Sequence, residues 1–167
     1  MTISLKADPG GTFGEILING TPYARVSANG LRTPTDGPYF RRENILGTVS
    51  ESGGVPTGAV IERGANANGE YVRFADGTQI CWRNIATASY NITTAVGALF
   101  RSGAQAFSYP AAFSETPTGC AAVTGSDGRV WVGTCLAGAS WSILLFSAVS
   151  GAGLAETLRL VAIGRWF

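Results

Sequence analysis

Six Asx-Gly pairs punctuate the chain: Asn19-Gly20, Asn29-Gly30, Asp36-Gly37, Asn68-Gly69, Asp76-Gly77 and Asp127-Gly128. Such pairs supply the positive φ angles of type I′ turns, which join antiparallel strands through two-residue loops. A chain reversed this often is predicted to be all-β. Short β-rich runs lie between the turns: Glu15 to Ile18, Ala59 to Glu62, Tyr71 to Phe74, Thr78 to Trp82, Ala104 to Tyr109, Ala121 to Thr124, Val130 to Val132, Trp141 to Phe146 and Thr157 to Ile163. No window offers a helix. The richest apolar run, Ser140 to Val149, has no charged face at 3.6-residue spacing and ends in Ser150-Gly151-Ala152-Gly153.

The 167 residues amount to about one domain. Hydrophobic residues make up 46% and charged ones only 14%, against roughly 25% charged in ordinary domains. The surface must therefore be covered by Ser, Thr, Asn and Gly or be hidden against other chains, so an obligate oligomer is expected. A net charge of +1 gives no electrostatic footprint for nucleic acid. The absence of histidine removes the commonest general base and metal ligand, together with Ser-His-Asp, Cys-His and HExxH chemistry. No GxGxxG, Walker A, GxSxG or CxxC spacing occurs. Neither a cofactor nor a metal is expected, and catalysis would have to run on paired carboxylates. Of the acidic residues, Asp36, Glu51, Glu62, Glu70, Asp76 and Asp127 lie in or beside turns, where solvation or turn formation explains them.

Between Arg129 and Glu156 there is no charge, a length that would reach across a bilayer. Glycines and serines interrupt the stretch, and a buried pair of strands is expected rather than membrane insertion. The start, Met1 to Asp8, lacks a secretory pattern, so synthesis and assembly in the cytoplasm are expected. For that reason the sequons Asn19-Gly20-Thr21 and Asn91-Ile92-Thr93 read as turn and strand residues. Arg41-Arg42-Glu43 reads as a solvated cluster. Three cysteines, Cys81, Cys120 and Cys135, do not form a secreted disulfide framework. A two-residue loop at Asp127-Gly128 would set Cys120 opposite Cys135, close to disulfide range. Two buried thiols are the alternative.

Sixteen of the charged side chains lie in residues 1–100 and seven in 101–167, so the deeper packing is expected late in the chain. Trp141, Ile143 and Leu145 alternate with Leu144 and Phe146, and Leu158 and Leu160 alternate with Val161 and Ile163. These strands are apolar on both faces, as in the centre of a sandwich or where a neighbouring subunit seals them. The N-terminal third is extended and rich in Gly, Pro and Thr, with too little apolar surface to fold alone. Three regions are expected: 1–52, attachment and oligomerisation; 53–100, a hairpin-bearing connector; and 101–167, a β-sandwich whose first strands come from 69–100. A soft boundary falls near Glu51-Ser52-Gly53-Gly54. With Asp76-Gly77 as a two-residue loop, Tyr71 would face Trp82, Val72 Cys81, Arg73 Ile80 and Phe74 Gln79. Bulky groups on both faces of that hairpin imply cover from both sides.

The stretch GGVPTGAVIERGANANGEYVRFADGTQICW, Gly53 to Trp82, resembles a segment of tail-fibre and spike proteins of tailed phages, prophages and phage-like gene transfer agents. FSYPAAF at Phe107 to Phe113, Pro117 and the terminal VAIGRWF at Val161 to Phe167 are similar to the distal lectin-like domain of such fibres, itself akin to H-type lectins. The resemblance covers roughly the last two thirds of the chain. It implies a homotrimer with a six-stranded antiparallel β-sandwich in each subunit, carried on the virion surface and attached to another particle protein through its N-terminal segment. It also implies recognition of host polysaccharide, capsule or lipopolysaccharide; with the acidic residues explained by their turns, no enzymatic activity is expected. Phe107 and Leu160 depart from the pattern, standing where Trp is common.

Sugar recognition needs flat aromatic faces and planar polar groups on accessible surfaces. Trp131 and Trp141 are the candidate platforms, with Asp127 and Arg129 as polar partners. The alternatives are that both tryptophans fill the core and that Asp127 only makes its turn. Arg101, Tyr109 and Glu115 are further candidates at a subunit edge, whereas Trp82 and Trp166 read as structural. The rival readings are a structural connector without a receptor site and a small capsule depolymerase.

Overall fold

The structure, a computed structural model, describes residues 1–7, 13–27, 30–32, 45–124 and 128–167. Asn29, Asp36-Gly37, Arg41-Arg42-Glu43 and Asp127 lie outside these residues. The described chain is all-β, as its turns predict, and divides into two compact units, Met1–Ile45 and Leu46–Phe167.

In the first unit, β1 (Ile3–Ala7), β2 (Phe13–Ile18), β3 (Thr21–Ser27) and β4 (Gly30–Arg32) form an antiparallel sheet in that order. Asn19 (φ 50°) and Gly20 (φ 80°) take the two positive-φ positions between β2 and β3, with Ile18 paired to Thr21. This is the type I′ geometry that an Asn-Gly pair encodes. The Asn19 side chain also accepts a hydrogen bond from the Thr2 amide at 3.0 Å. Ile3 pairs with Ile18 and Leu5 with Ile16, so these four share one face. Ile3 and Leu5 are strongly exposed there.

The second unit opens with β5 (Glu51–Ser52) and β6 (Val55–Pro56), joined by Gly53 (φ 61°) and Gly54 (φ 82°). The hairpin is closed by the Gly54 amide donating to Glu51 Oε2. A Gly-Gly pair suits a flexible linker and a type I′ turn equally well, and flanking β-pairing decides between them. There follow β7 (Ile61–Asn66), β8 (Gly69–Phe74), β9 (Thr78–Val96), β10 (Leu99–Ser102), β11 (Gln105–Ser108), β12 (Thr118–Val123), β13 (Val130–Ala137), β14 (Ser140–Ser147) and β15 (Gly151–Arg165). All nine belong to one sheet. Its path runs from β13 to β14, then β10, β9, β15 and β12, with β11 on β14 and the β7–β8 hairpin on β9.

The nine strands thus make a single curled sheet. The 19-residue β9 and its 15-residue partner β15 run past both halves, with register shifts at Gly151/Leu154 and Glu156/Leu158. Bulges of this kind bend a strand and raise its twist. The end strands β12 and β13 consequently meet: a Cβ on Gly119 would lie 2.7 Å from that of Ala137.

Inside the curl lie Cys81, Ile92, Trp141, Ile143, Leu145, Leu158, Leu160 and Ala162. Alternation along β14 is strict, with every second residue buried. The charge-free stretch therefore forms a strand pair, β13–β14, as expected. Among the described residues no helix is long and apolar enough to cross a membrane. The second apolar row of β15 is not enclosed: Ile163 is 49% exposed.

Two registers differ from expectation. Across β8–β9, Tyr71 pairs with Cys81, Val72 with Ile80 and Arg73 with Gln79, while Trp82 faces Glu70. The loop holds three residues, Ala75, Asp76 and Gly77. Gly77 donates its amide to the Phe74 carbonyl at 3.0 Å and alone takes positive φ, 92°. Asp76 accepts from the Thr78 amide at 2.9 Å instead of entering the left-handed region. A turn followed by a left-handed glycine adds one residue to the loop and shifts every pair by one. The second correction concerns Cys120 and Cys135. β12 pairs with β15 and β13 with β14, so in the ladders Cys120 faces Val161 and Cys135 faces Ile143, and the two thiols neighbour each other only where β12 and β13 meet, outside any hairpin ladder. Both thiols are free, and Cys120 is exposed rather than buried.

Candidate functional site

The β13–β14–β10–β9 part of the sheet presents alternating rows to its two sides. Val130, Ser147 and Phe100 are aligned across three strands and pack inward. The next row is Trp131, Phe146, Arg101 and Thr94, and it points away from the core. Trp131 is 39% exposed. Neighbouring strands are about 4.8 Å apart, so Trp131 and Arg101 stand two strand spacings from each other, with Phe146 on the strand between them.

A glycine shapes the floor of this row. The register of β13 shifts between Val132 and Thr134, leaving Gly133 as the extra residue. A Cβ there would run into the Phe146 ring, so only a glycine leaves room for that ring against β13. The result is an aromatic and apolar strip with a guanidinium and a hydroxyl at one end. Such a strip can stack against the C–H face of a sugar while planar donors bond its hydroxyls.

The structure places the expected residues in different surroundings. Trp131 and Arg101 belong to the row, and Arg129 is exposed two residues before Trp131. Asp127 lies outside the described residues. Trp141 leaves the site: it is fully buried, and its Nε1 donates to the Val161 carbonyl at 3.1 Å. It offers no face to a ligand. The reason is parity, since Trp141 shares the inner row of β14 with Ile143 and Leu145 while Trp131 sits opposite the outward Phe146.

Tyr109 is half-buried. Its ring stands edge-on to Trp141 at 4.5 Å and to Phe113 at 4.9 Å. Its hydroxyl is buried and has no hydrogen-bond partner in the described structure. Burial, reinforced by the neighbouring Cys135 and Cys81, pushes the phenol up to about 12. With Glu115, Ser108, Ser114, Thr116 and Phe113 it lines a cleft of about 520 Å³, away from the Trp131 row. Trp166 is structural, as expected: its Nε1 donates to the Phe74 carbonyl at 2.9 Å. Trp82 is only half-buried and stands on the outward face of β9.

Phe146 and Thr94 escaped the sequence reading. Phe146 showed only as an apolar alternation within a strand. The short β10 that brings Arg101 beside it, in the segment LFRS, carries no turn pair or long periodicity. Among the described residues no group of His, Cys, Asp and Glu is placed to hold a metal.

No protein-family model matches the chain, and no curated protein matches it. Among solved structures it is similar to an N-truncated R1-type pyocin tail fibre, at 18% identity and a TM-score of 0.40, over 62% of this chain and 84% of that one. It is also similar to the C-terminal part of a P. aeruginosa R1 pyocin fibre, at 12% identity and a TM-score of 0.42, over 97% of this chain and 56% of that one.

Proposed function

We propose that the chain is a non-enzymatic receptor-binding subunit of a phage or phage-like particle, a tail fibre or spike that binds host capsule or lipopolysaccharide. The observation that carries this is the outward-facing row of exposed Trp131 and half-buried Phe146 and Arg101, an aromatic strip beside a cation. The resemblance of Gly53 to Trp82 and of the two C-terminal motifs to fibre and spike proteins with H-type-lectin-like tips agrees with it. In this reading three identical chains assemble in the bacterial cytoplasm and end on the particle surface. The first unit attaches to another particle protein. The open apolar face around Ile3 and Leu5 supports that role, because contiguous exposed apolar surface marks protein contact sites. Three weak sugar sites per trimer, and many trimers per particle, raise effective affinity without stronger individual contacts.

The test is binding of purified protein to encapsulated cells and to capsule-deficient or lipopolysaccharide-truncated cells, with wild type beside Trp131→Ala and Arg101→Ala. Wild type should bind the intact cells, and each substitution should weaken binding about tenfold or more. Equal binding to all cells, or none, would favour a connector subunit. Light scattering at the mass of one chain would end the trimer.

A further inference from the structure

A second cleft, also about 520 Å³, opens beside the β7–β8 turn and the middle of β9, where Asn66, Gly69, Glu70, Trp82, Arg83 and Asn84 contribute to its lining. Its chemistry follows from register. Glu70 lies directly across from Trp82, and Asn84, two residues on, shares their face of the sheet. On the other side of β9, Arg159 faces Asn84 and donates from Nη1 to its Oδ1 at 3.3 Å. An indole, a carboxylate, a carboxamide and a guanidinium thus converge on one outward face.

The frame of the cleft is held in place. Asn66 donates from Nδ2 to the Pro110 carbonyl at 2.8 Å, and its Oδ1 accepts from the Asn68 amide at 2.8 Å. Gly69 has φ 130°, and any Cβ there would collide with the Trp82 carbonyl, so only glycine lets the turn approach β9 this closely.

The charges differ in availability. Arg159 is engaged by Asn84, and the Arg83 guanidinium lies over the Phe107 ring at 5.5 Å. The Glu70 side chain is exposed, and its carboxylate makes no hydrogen bond or ion pair with any described residue. An open carboxylate beside a flat indole suits a sugar with two adjacent hydroxyls, which a carboxylate accepts in pairs. It disfavours an acidic sugar.

We propose that this cleft is a second saccharide site, taking a neutral pyranoside residue with a vicinal diol: its apolar face stacks on Trp82 and its hydroxyls donate to Glu70. The inference goes beyond the Trp131 row and rests on a separate set of residues.

The test uses the full chain with 15N-labelled tryptophan and follows the Trp82 indole N–H during titration. The probes are the methyl α-glycosides of glucose, mannose and galactose, with N-acetylneuraminic acid as the anionic comparison. At least one neutral glycoside should shift the Trp82 signal. Glu70→Gln, which preserves shape, should weaken that response about tenfold, and Trp131→Ala should leave it unchanged. The proposal is overturned if no neutral glycoside shifts Trp82, if N-acetylneuraminic acid does so in their place, if Glu70→Gln titrates like wild type, or if Trp131→Ala abolishes the response. Cell binding that depends on Trp131 is a separate readout, so either site can fail without the other.

Discussion

The Trp141 indole donates to the Val161 carbonyl at 3.1 Å, joining β14 to β15, which are separated in the sheet by β10 and β9. This bond crosses the interior of the curl and fastens two distant strands of one sheet. Trp141→Phe keeps a ring and loses the donor, and should cost about 1–2 kcal/mol. Trp141→Ala should cost about 3–5 kcal/mol. Urea unfolding reads both as a lowered midpoint, and a midpoint like wild type for the alanine variant would contradict the buried position.

The β12–β13 seam depends on absent atoms. At Gly119 a Cβ would meet Ala137 at 2.7 Å, so Gly119→Ala should destabilise by about 1–3 kcal/mol through overpacking. Adding Ala137→Gly should recover part of that loss. A double-mutant cycle checks it, and strict additivity would mean that the strands do not touch there.

Glu156 is buried on the inner row of β15 between Leu154 and Leu158, and its Oε2 lacks a partner in the described structure. A buried unpartnered carboxylate is costly. Glu156→Gln should therefore raise stability by about 1–2 kcal/mol, seen as a higher thermal or urea midpoint. A lower midpoint would contradict the unpartnered position of the carboxylate.

Alkaline unfolding should report Tyr109. Its phenol is raised to about 12 in the fold, against about 10 in the unfolded chain. Between those values the folded state holds the proton that the unfolded state releases, so stability falls as pH rises. The contribution is complete below about pH 10 and is lost as pH passes the folded value. Tyr109→Phe should flatten this part of the stability profile and, because it removes a buried hydroxyl without a partner, should not lower stability at neutral pH. An unaltered alkaline limb in that variant would place the effect elsewhere.

Binding to host cells should change little between about pH 6 and 8. The chain has no histidine, the side chain whose ordinary pKa lies in that range. The shifts imposed by the fold also point away from neutrality. Burial raises the Cys81 and Cys135 thiols, and the Thr78 amide bond lowers the Asp76 carboxyl. Equilibrium binding measured across that interval would contradict the proposed surface if affinity fell sharply.

What the sequence determined by itself was the class of fold and some of its turns. Asn19-Gly20 could be read as a type I′ turn because the preference resides in those two residues. The alternation in Trp141 to Phe146 likewise announced a strand with two apolar rows. Asp76-Gly77 shows the limit, since the same kind of pair serves a three-residue loop and moves the register by one. The decision between the two loops rests on how β8 and β9 pack, beyond the dipeptide. The site was divided in the same way. Trp131 and Trp141 are the same residue type in adjacent strands, and local sequence gives no reason to place one outside and the other in the core. Only the closure of the sheet, which sets Trp141 over the inner row of β15 and aligns Trp131 with Phe146 and Arg101, made that choice. Turn chemistry is local, whereas the face a side chain occupies is decided by strands distant in sequence.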